Sequence, residues 1–494
     1  MRECFLAFFC MDFGEKSWNG AKFVCKKSWN GVFLRRKKTW NGVIMKRKMY
    51  QTLLKWKQEE QGRKALMLDG ARRVGKSYIV EEFARNEYAS YILIDFAHVE
   101  SEVMSYFENY KMDFEALFFH LSLYYRVRLY ERKSLIIFDE VQFFPQARAA
   151  IKYLVADGRY DYIETGSLIS INKNVKDILI PSEERHVKMF PMDFEEFLWA
   201  MGEDMLMPYI SDCFAKQQPM GQAIHRRAMD YLREYIIVGG MPQAVQAYKD
   251  TKSFEKADRE KRDILQLYRA DIRKYATGYE SKVAKIFDTI PGQLQKHEKK
   301  FKLSALKSRA RFREYESSFL WLEDSMVVNV CYSASEPSVG LRLKMDDSTM
   351  KCYMGDTGLL ISLAFDENAI ASEELYRKLM LDKLEINKGM LVENLVAQML
   401  RAAGHELYFF SSYSKANAED TMEIDFLVRK ATVSSRHNIS PVEVKSTKNY
   451  TLSSLKKFRT KYAQQLATAY VLHSSDLKVE NDTVYLPLYM AGLL

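Results

Sequence analysis

The sequence predicts an α/β protein in three parts: a parallel sheet flanked by helices, a helical middle stretch, and a second α/β unit. Three observations carry this expectation. Short apolar runs alternate with helical stretches through the first half, the pattern of parallel strands joined by crossover helices. One of those runs feeds a glycine-rich loop that opens a helix. Near the C-terminus, apolar runs follow an amphipathic helix and carry charged residues at fixed offsets. The length of 494 residues is too great for one ordinary domain. We divide it into an extension at 1–44, a first α/β domain at 45–220, a helical region at 221–340 and a second α/β domain at 341–494.

Composition narrows the functional classes. Hydrophobic residues make up 47% and charged residues 28%, a normal globular balance. The net charge of +9 is unevenly placed, because residues 1–50 hold 12 Lys or Arg against 3 Asp or Glu. The remainder is balanced at 62 of each sign, so the high isoelectric point argues little for nucleic-acid binding by the folded body. Cysteines at 4, 10, 25, 213, 331 and 352 show neither CxxC spacing nor a companion His cluster. That excludes a zinc framework and fits a reducing compartment. No apolar run approaches the roughly 20 residues of a membrane span. We expect a cytoplasmic protein with no membrane partner.

Before the first α/β domain lies a repeat. Ser17-Trp-Asn-Gly20, Ser28-Trp-Asn-Gly31 and Thr39-Trp-Asn-Gly42 recur every 11 residues, each preceded by lysine. Such Asn-Gly turns cannot bury a core, so a dispensable extension is favoured over a basic, Trp-bearing nucleic-acid arm. A helical pattern begins near Met45 and Met49, either of which would serve as a start.

Ala65-Leu-Met-Leu-Asp69 reads as a buried strand, Gly70-Ala71-Arg72-Arg73-Val74-Gly75-Lys76-Ser77 as a loop, and Tyr78-Ile-Val-Glu-Glu-Phe83 as a helix. Strand, G-x4-GK[ST] loop and helix together are the context of a phosphate-binding P-loop. Its glycines let backbone N–H groups turn inward, and the helix adds its positive N-terminus. Lys76 would reach the β- and γ-phosphates of ATP, and Ser77 would ligate Mg²⁺. A second buried strand, Ser134-Leu-Ile-Ile-Phe138, ends in Asp139-Glu140. Asp139 would hold the Mg²⁺ shell, and Glu140 would act as general base on the attacking water. A third strand, Tyr160-Asp-Tyr-Ile163, runs into Glu164-Thr165-Gly166-Ser167. Thr165 or Ser167 would sense the γ-phosphate, with an ordinary turn as the equal alternative. A P-loop NTPase sheet follows, and with it an Mg-dependent ATPase.

These strings, with Phe190-Pro-Met-Asp-Phe-Glu-Glu-Phe197, Gly239-Gly-Met-Pro242 and Gly355-Asp-Thr-Gly-Leu359, resemble the uncharacterised prokaryotic AAA-type ATPases that carry a C-terminal domain of unknown function. The resemblance spans about residues 45–494. It implies that Arg185 completes the nucleotide site.

The middle region reads as helical and winged-helix-like. Phe301-Lys-Leu-Ser-Ala-Leu-Lys-Ser308 and Arg313–Glu323 suggest a helix-turn-helix, with Met326–Tyr332 as a wing. Glu314, Glu316 and Glu323 on the second helix favour an inter-domain role over DNA reading. In the last region, Glu393 lies in the apolar face of a helix, Asp425 on one strand, and Glu443-x-Lys445 on the next. Asp with Glu-x-Lys on neighbouring strands is the core of a restriction-endonuclease-like fold. Glu443 and Lys445, two apart, share a strand face. Glu393, Asp425 and Glu443 would hold Mg²⁺, and Lys445 would position or activate water. Cleavage of nucleic acid stands beside a scaffold that binds nucleic acid or protein without cutting. The oligomeric state stays open.

Overall fold

The computed structural model describes residues 45–166, 182–296, 300–366, 373–380, 388–430, 437–447 and 449–494. The N-terminal repeat and Ser167 lie outside them.

Five strands form the first sheet: β1 (Ala65–Gly70), β2 (Ser90–Asp95), β3 (Ser134–Asp139), β4 (Asp161–Gly166) and β5 (Glu184–Met189). Their order is β2-β3-β4-β1-β5, and every pairing is parallel. Successive side chains of a strand face opposite ways, so β1 feeds two cores. Leu66 and Leu68 pack with Ile79, Val80 and Phe83 of the helix Lys76–Glu87. Ala65 and Met67 join Phe107, Leu121 and Ile151 from the helices Ser101–Asn109, Phe114–Tyr125 and Pro145–Asp157. Two-sided burial is why β1 and β3 read as apolar runs.

Helices dominate from 194 to 294, the longest being Phe254–Tyr275. The strings at 190–197, 239–242 and 355–359 converge here. Gly239 has φ +81°, and a Cβ there would run into the Asp356 carboxylate. Gly240 N–H donates to Asp356 Oδ2 (2.5 Å), and Met192 N–H donates to the Gly240 carbonyl (2.7 Å). Asp356 also caps the helix Thr357–Ala364 by accepting from Leu359 N–H.

The helix-turn-helix expectation does not hold. Within 301–308 only the 3₁₀ turn Leu303–Ala305 forms, and Leu306 is the sole buried apolar side chain there. Phe301 and Leu303 pack only half-buried against the core, and with Leu306 they seat a turn rather than a helix. The second helix forms as Glu316–Asp324, and Phe319, Trp321 and Leu322 bury it in the core rather than presenting it to a groove. The expected wing is β6 (Val328–Ala334), an inner strand of a sheet ordered β7-β6-β8-β9. Its partners are β7 (Met345–Met354), antiparallel, and β8 (Leu407–Ser412), parallel; β9 (Met422–Ile424) pairs with β8. This sheet crosses the boundary expected at 340.

A last sheet has the order β10-β11-β12-β14-β13, from Phe426–Arg429, Ile439–Val444, Ala469–His473, Thr483–Pro487 and Lys478–Glu480 for β10, β11, β12, β14 and β13. The helix Lys388–Ala402 packs against β7 and β11. Asp425, expected on a strand, sits at the break between β9 and β10.

Candidate active site

The loop after β1 wraps the N-terminus of the helix Lys76–Glu87. Gly75 takes φ +96°, a conformation that strains any residue with a Cβ. Ala71 and Val74 are buried beneath the loop. Lys76 Nζ donates to the carbonyls of Gly70 (2.8 Å) and Ala71 (3.1 Å), so its ammonium lies across the mouth where phosphates would sit. Burial lowers the Lys76 pKa, opposed by the nearby carboxylates of Glu140, Asp139 and Asp69.

Strand order places the acids opposite. β4 lies between β1 and β3, which sets Thr165 at its end beside the Asp139-Glu140 motif. Ser77 Oγ donates to Asp139 Oδ1 at 2.8 Å, and Thr165 Oγ1 donates to the same oxygen. Glu140 N–H reaches Thr165 Oγ1 at 3.4 Å. Burial raises the Asp139 pKa against these two hydroxyl donors. The Ser77 hydroxyl and Asp139 carboxylate are hard oxygen donors of the kind Mg²⁺ takes, and the residues fit that ion. Glu140 adopts φ 54° and accepts from Gln142 Nε2, which fixes its carboxylate.

Two groups that support the loop were missed in the sequence. Arg47, 6% exposed, donates to the Val74 carbonyl (2.7 Å) and the Phe190 carbonyl (2.8 Å) and pairs with Glu196 (3.1 Å). Across the loop, Arg72 pairs with Asp271 of the helix Phe254–Tyr275 at 2.5 Å, and Tyr268 Oη donates to the Arg72 carbonyl at 3.1 Å. Both partners lie nearly two hundred residues downstream, so spacing carries no signal of them. Arg73 takes φ 69° within the loop.

Arg185 is not brought to this loop. It is in register with Leu66, at the opposite end of β1 from Gly70, and pairs with Glu59 (2.9 Å) and Glu60 (3.3 Å). The strand direction decides this, because β5 runs parallel to β1 and Arg185 lies near its start.

The C-terminal residues gather at the ends of β9, β10 and β11. Asp425 Oδ2 accepts from Val444 N–H (2.8 Å), Glu443 pairs with Lys445 (2.5 Å), and Glu393 accepts from Tyr353 Oη (3.2 Å). Burial, then Asp425, push the Glu443 carboxyl up to about 8. The expected trio does not form a metal nest: among the described residues, no three His, Cys, Asp or Glu side chains are placed to hold a metal ion. A lysine stands there instead. Lys351 of β7, 1% exposed, lies 2.8 Å from Glu423 and 3.8 Å from Asp425. Burial opposes its charge, but Glu423, Glu393 and Asp425 outweigh it and hold its pKa above the ordinary lysine range. Its signal in the sequence was a lone charge in the run Met350-Lys-Cys-Tyr-Met354.

Comparison with known proteins agrees with this geometry in the first domain. Residues 62–198 match the family model described as AAA domain. Residues 229–369 match a domain of unknown function (DUF8612), and 388–490 match another (DUF4143). No curated protein matches the chain. Among solved structures, the Walker-type ATPase paby2304 of Pyrococcus abyssi is similar at 14% identity and TM-score 0.38, over 65% of this chain and 96% of that one. The Aeropyrum pernix ORC2 protein is similar at 10% identity and TM-score 0.33, over 68% and 92%. Cdc6p from Pyrobaculum aerophilum is similar at 10% and 0.25, over 68% and 94%. Among the described residues no helix is long and apolar enough to cross a membrane. The family match and the loop geometry together make residues 62–198 an AAA-type P-loop ATPase domain.

Proposed function

We propose that the chain is an Mg²⁺-dependent ATPase that passes its nucleotide state to a nuclease-like C-terminal module. The observation that carries the reading is the 2.8 Å contact between Ser77 and Asp139, which joins two motifs 62 residues apart. Lys76 leaves its loop carbonyls for the β- and γ-phosphates, and the loop N–H groups and helix N-terminus bind the remaining phosphate oxygens. Ser77 and Asp139 would hold Mg²⁺, whose charge would help stabilise the transferring phosphoryl group. Glu140 takes a proton from the attacking water, and Thr165 holds the Asp139 carboxylate in place.

The helix Phe254–Tyr275 supports the coupling. Asp271 and Tyr268 touch the loop, while Asp258 accepts from Ser362 Oγ (2.5 Å) and Lys261 donates to the Gly358 carbonyl (3.3 Å). Thirteen residues of helix separate Asp258 from Asp271, about 20 Å. A shift of Arg72 on nucleotide binding would therefore be felt at the helix Thr357–Ala364. The free, buried Cys213, Cys331 and Cys352 fit action in the cytoplasm.

A second reading is a switch whose C-terminal module binds nucleic acid or protein without cleaving it. The position of Lys351 among the carboxylates favours it. Calorimetric titration with ATP and Mg²⁺ tests the first reading: wild type binds and Lys76→Ala does not. Equal binding by both would remove Lys76 from the site. Plasmid cleavage lost in Lys445→Ala would mark a nuclease, and absence of cleavage would mark a binding module.

A further inference from the structure

Four carboxylates, Glu393, Glu423, Asp425 and Glu443, crowd the region where β9 gives way to β10 beside β11. Such a group normally gathers a divalent cation, as the sequence suggested. The side chains are arranged for a different cation. Lys351 reaches the cluster from β7, and its ammonium lies 2.8 Å from Glu423 Oε1, 3.8 Å from Asp425 Oδ1 and 5.0 Å from the centre of the Phe409 ring.

Part of the remaining acceptor capacity is spent elsewhere, while Glu443 Oε1 is buried without a hydrogen-bond partner. Asp425 Oδ2 is taken by Val444 N–H, Glu393 by Tyr353 Oη, and Glu443 Oε2 by Lys445. Among the described residues no three acids are placed to hold a metal. An ammonium has three donors and bridges oxygens near 2.8 Å, whereas Mg²⁺ demands an octahedron of oxygens near 2.1 Å. The Glu423 contact has the first spacing, with the Asp425 oxygen farther off at 3.8 Å. Lys351 cannot yield by swinging into water, because its side chain is 1% exposed. A divalent ion added beside it would set two positive charges close together in a low-dielectric interior.

We propose that the Lys351 ammonium is the resident cation of this carboxylate cluster and stands where a divalent metal would otherwise bind. The residues expected as metal ligands thus do not fit a metal while Lys351 is present. Removing that one charge unmasks a metal site. The inference concerns these carboxylates alone and holds whether or not the first domain turns over ATP.

The test is electron paramagnetic resonance titration of the full chain with Mn²⁺, without nucleotide. Wild type, Asp425→Asn, Lys351→Met and Lys351→Met/Asp425→Asn are compared, with folding checked by circular dichroism. Asp425→Asn should leave the bound Mn²⁺ of wild type unchanged. Lys351→Met should gain one bound ion per chain, lost again in the double variant. Loss of a bound ion on going from wild type to Asp425→Asn would overturn the proposal. So would a folded Lys351→Met variant that gains none. If Lys351→Met fails to fold, the comparison of wild type with Asp425→Asn still decides.

Discussion

Replacing Arg47 by methionine keeps a long side chain but removes a buried cation that ties three segments together. The guanidinium holds the Val74 carbonyl of the phosphate loop, the Phe190 carbonyl after β5, and the Glu196 carboxylate of the helix Phe194–Met201. Side-chain exposures of 5% and 6% for Arg47 and Glu196 mean that water cannot replace the lost partner. Breaking a buried pair by removing one member costs about 3–5 kcal/mol. Glu196 keeps backbone donors at Lys48 N (2.6 Å) and Asp193 N (3.2 Å), which favours the lower figure, about 3 kcal/mol. With a urea slope of about 2 kcal/mol per molar, the unfolding midpoint of the first domain should fall by about 1.5 M. The assay is urea unfolding of Arg47→Met beside wild type. A chain trimmed to begin at Met49 loses Arg47 and should fall similarly, while one beginning at Met45 should not. A shift below about 0.5 M in Arg47→Met would mean that the guanidinium does not tie these segments together.

Other expectations follow from the same geometry. Asp271→Asn frees Arg72 from a half-exposed pair worth about 1 kcal/mol. ATP affinity by calorimetry should rise up to about fivefold, since 1.4 kcal/mol is tenfold; a drop would mean that the pair instead props the loop open for binding. His186 hydrogen-bonds to Asp69 (3.3 Å) and pairs with Glu184 (3.1 Å), which raise its pKa to about 9. A raised imidazole stabilises fully below the unfolded value of about 6.5 and loses that contribution as pH climbs to about 9. Thermal melting should therefore fall across that window, with a shallower fall in His186→Gln; parallel profiles would contradict the assignment.

The first domain was legible because its chemistry is written contiguously. Strand, loop and helix follow one another from Ala65 to Phe83, and the ends of β3 and β4 carry Asp139 and Thr165. What escaped was partnership at a distance. Nothing near Arg72 announces Asp271, and nothing near Val74 announces Arg47. Arg185 was misplaced because residue type alone does not reveal which end of β5 faces the loop. The C-terminal acids were found, but the sequence reading paired them with a metal because Lys351, over seventy residues before Asp425, joins them only through the sheet that β6 builds with β7 and β8. The run 301–308 carried helical spacing without enough apolar surface to seat it.

Glu140 is proposed to drive ATP hydrolysis beside Lys76 and the Ser77–Asp139 pair. The direct measurement is steady-state phosphate release by wild type and Glu140→Gln in Mg²⁺ and ATP, with ATP affinity determined in parallel. Turnover in Glu140→Gln should fall by about 10²–10⁴-fold while ATP binding persists. Hydrolysis by Glu140→Gln at the wild-type rate would contradict the account.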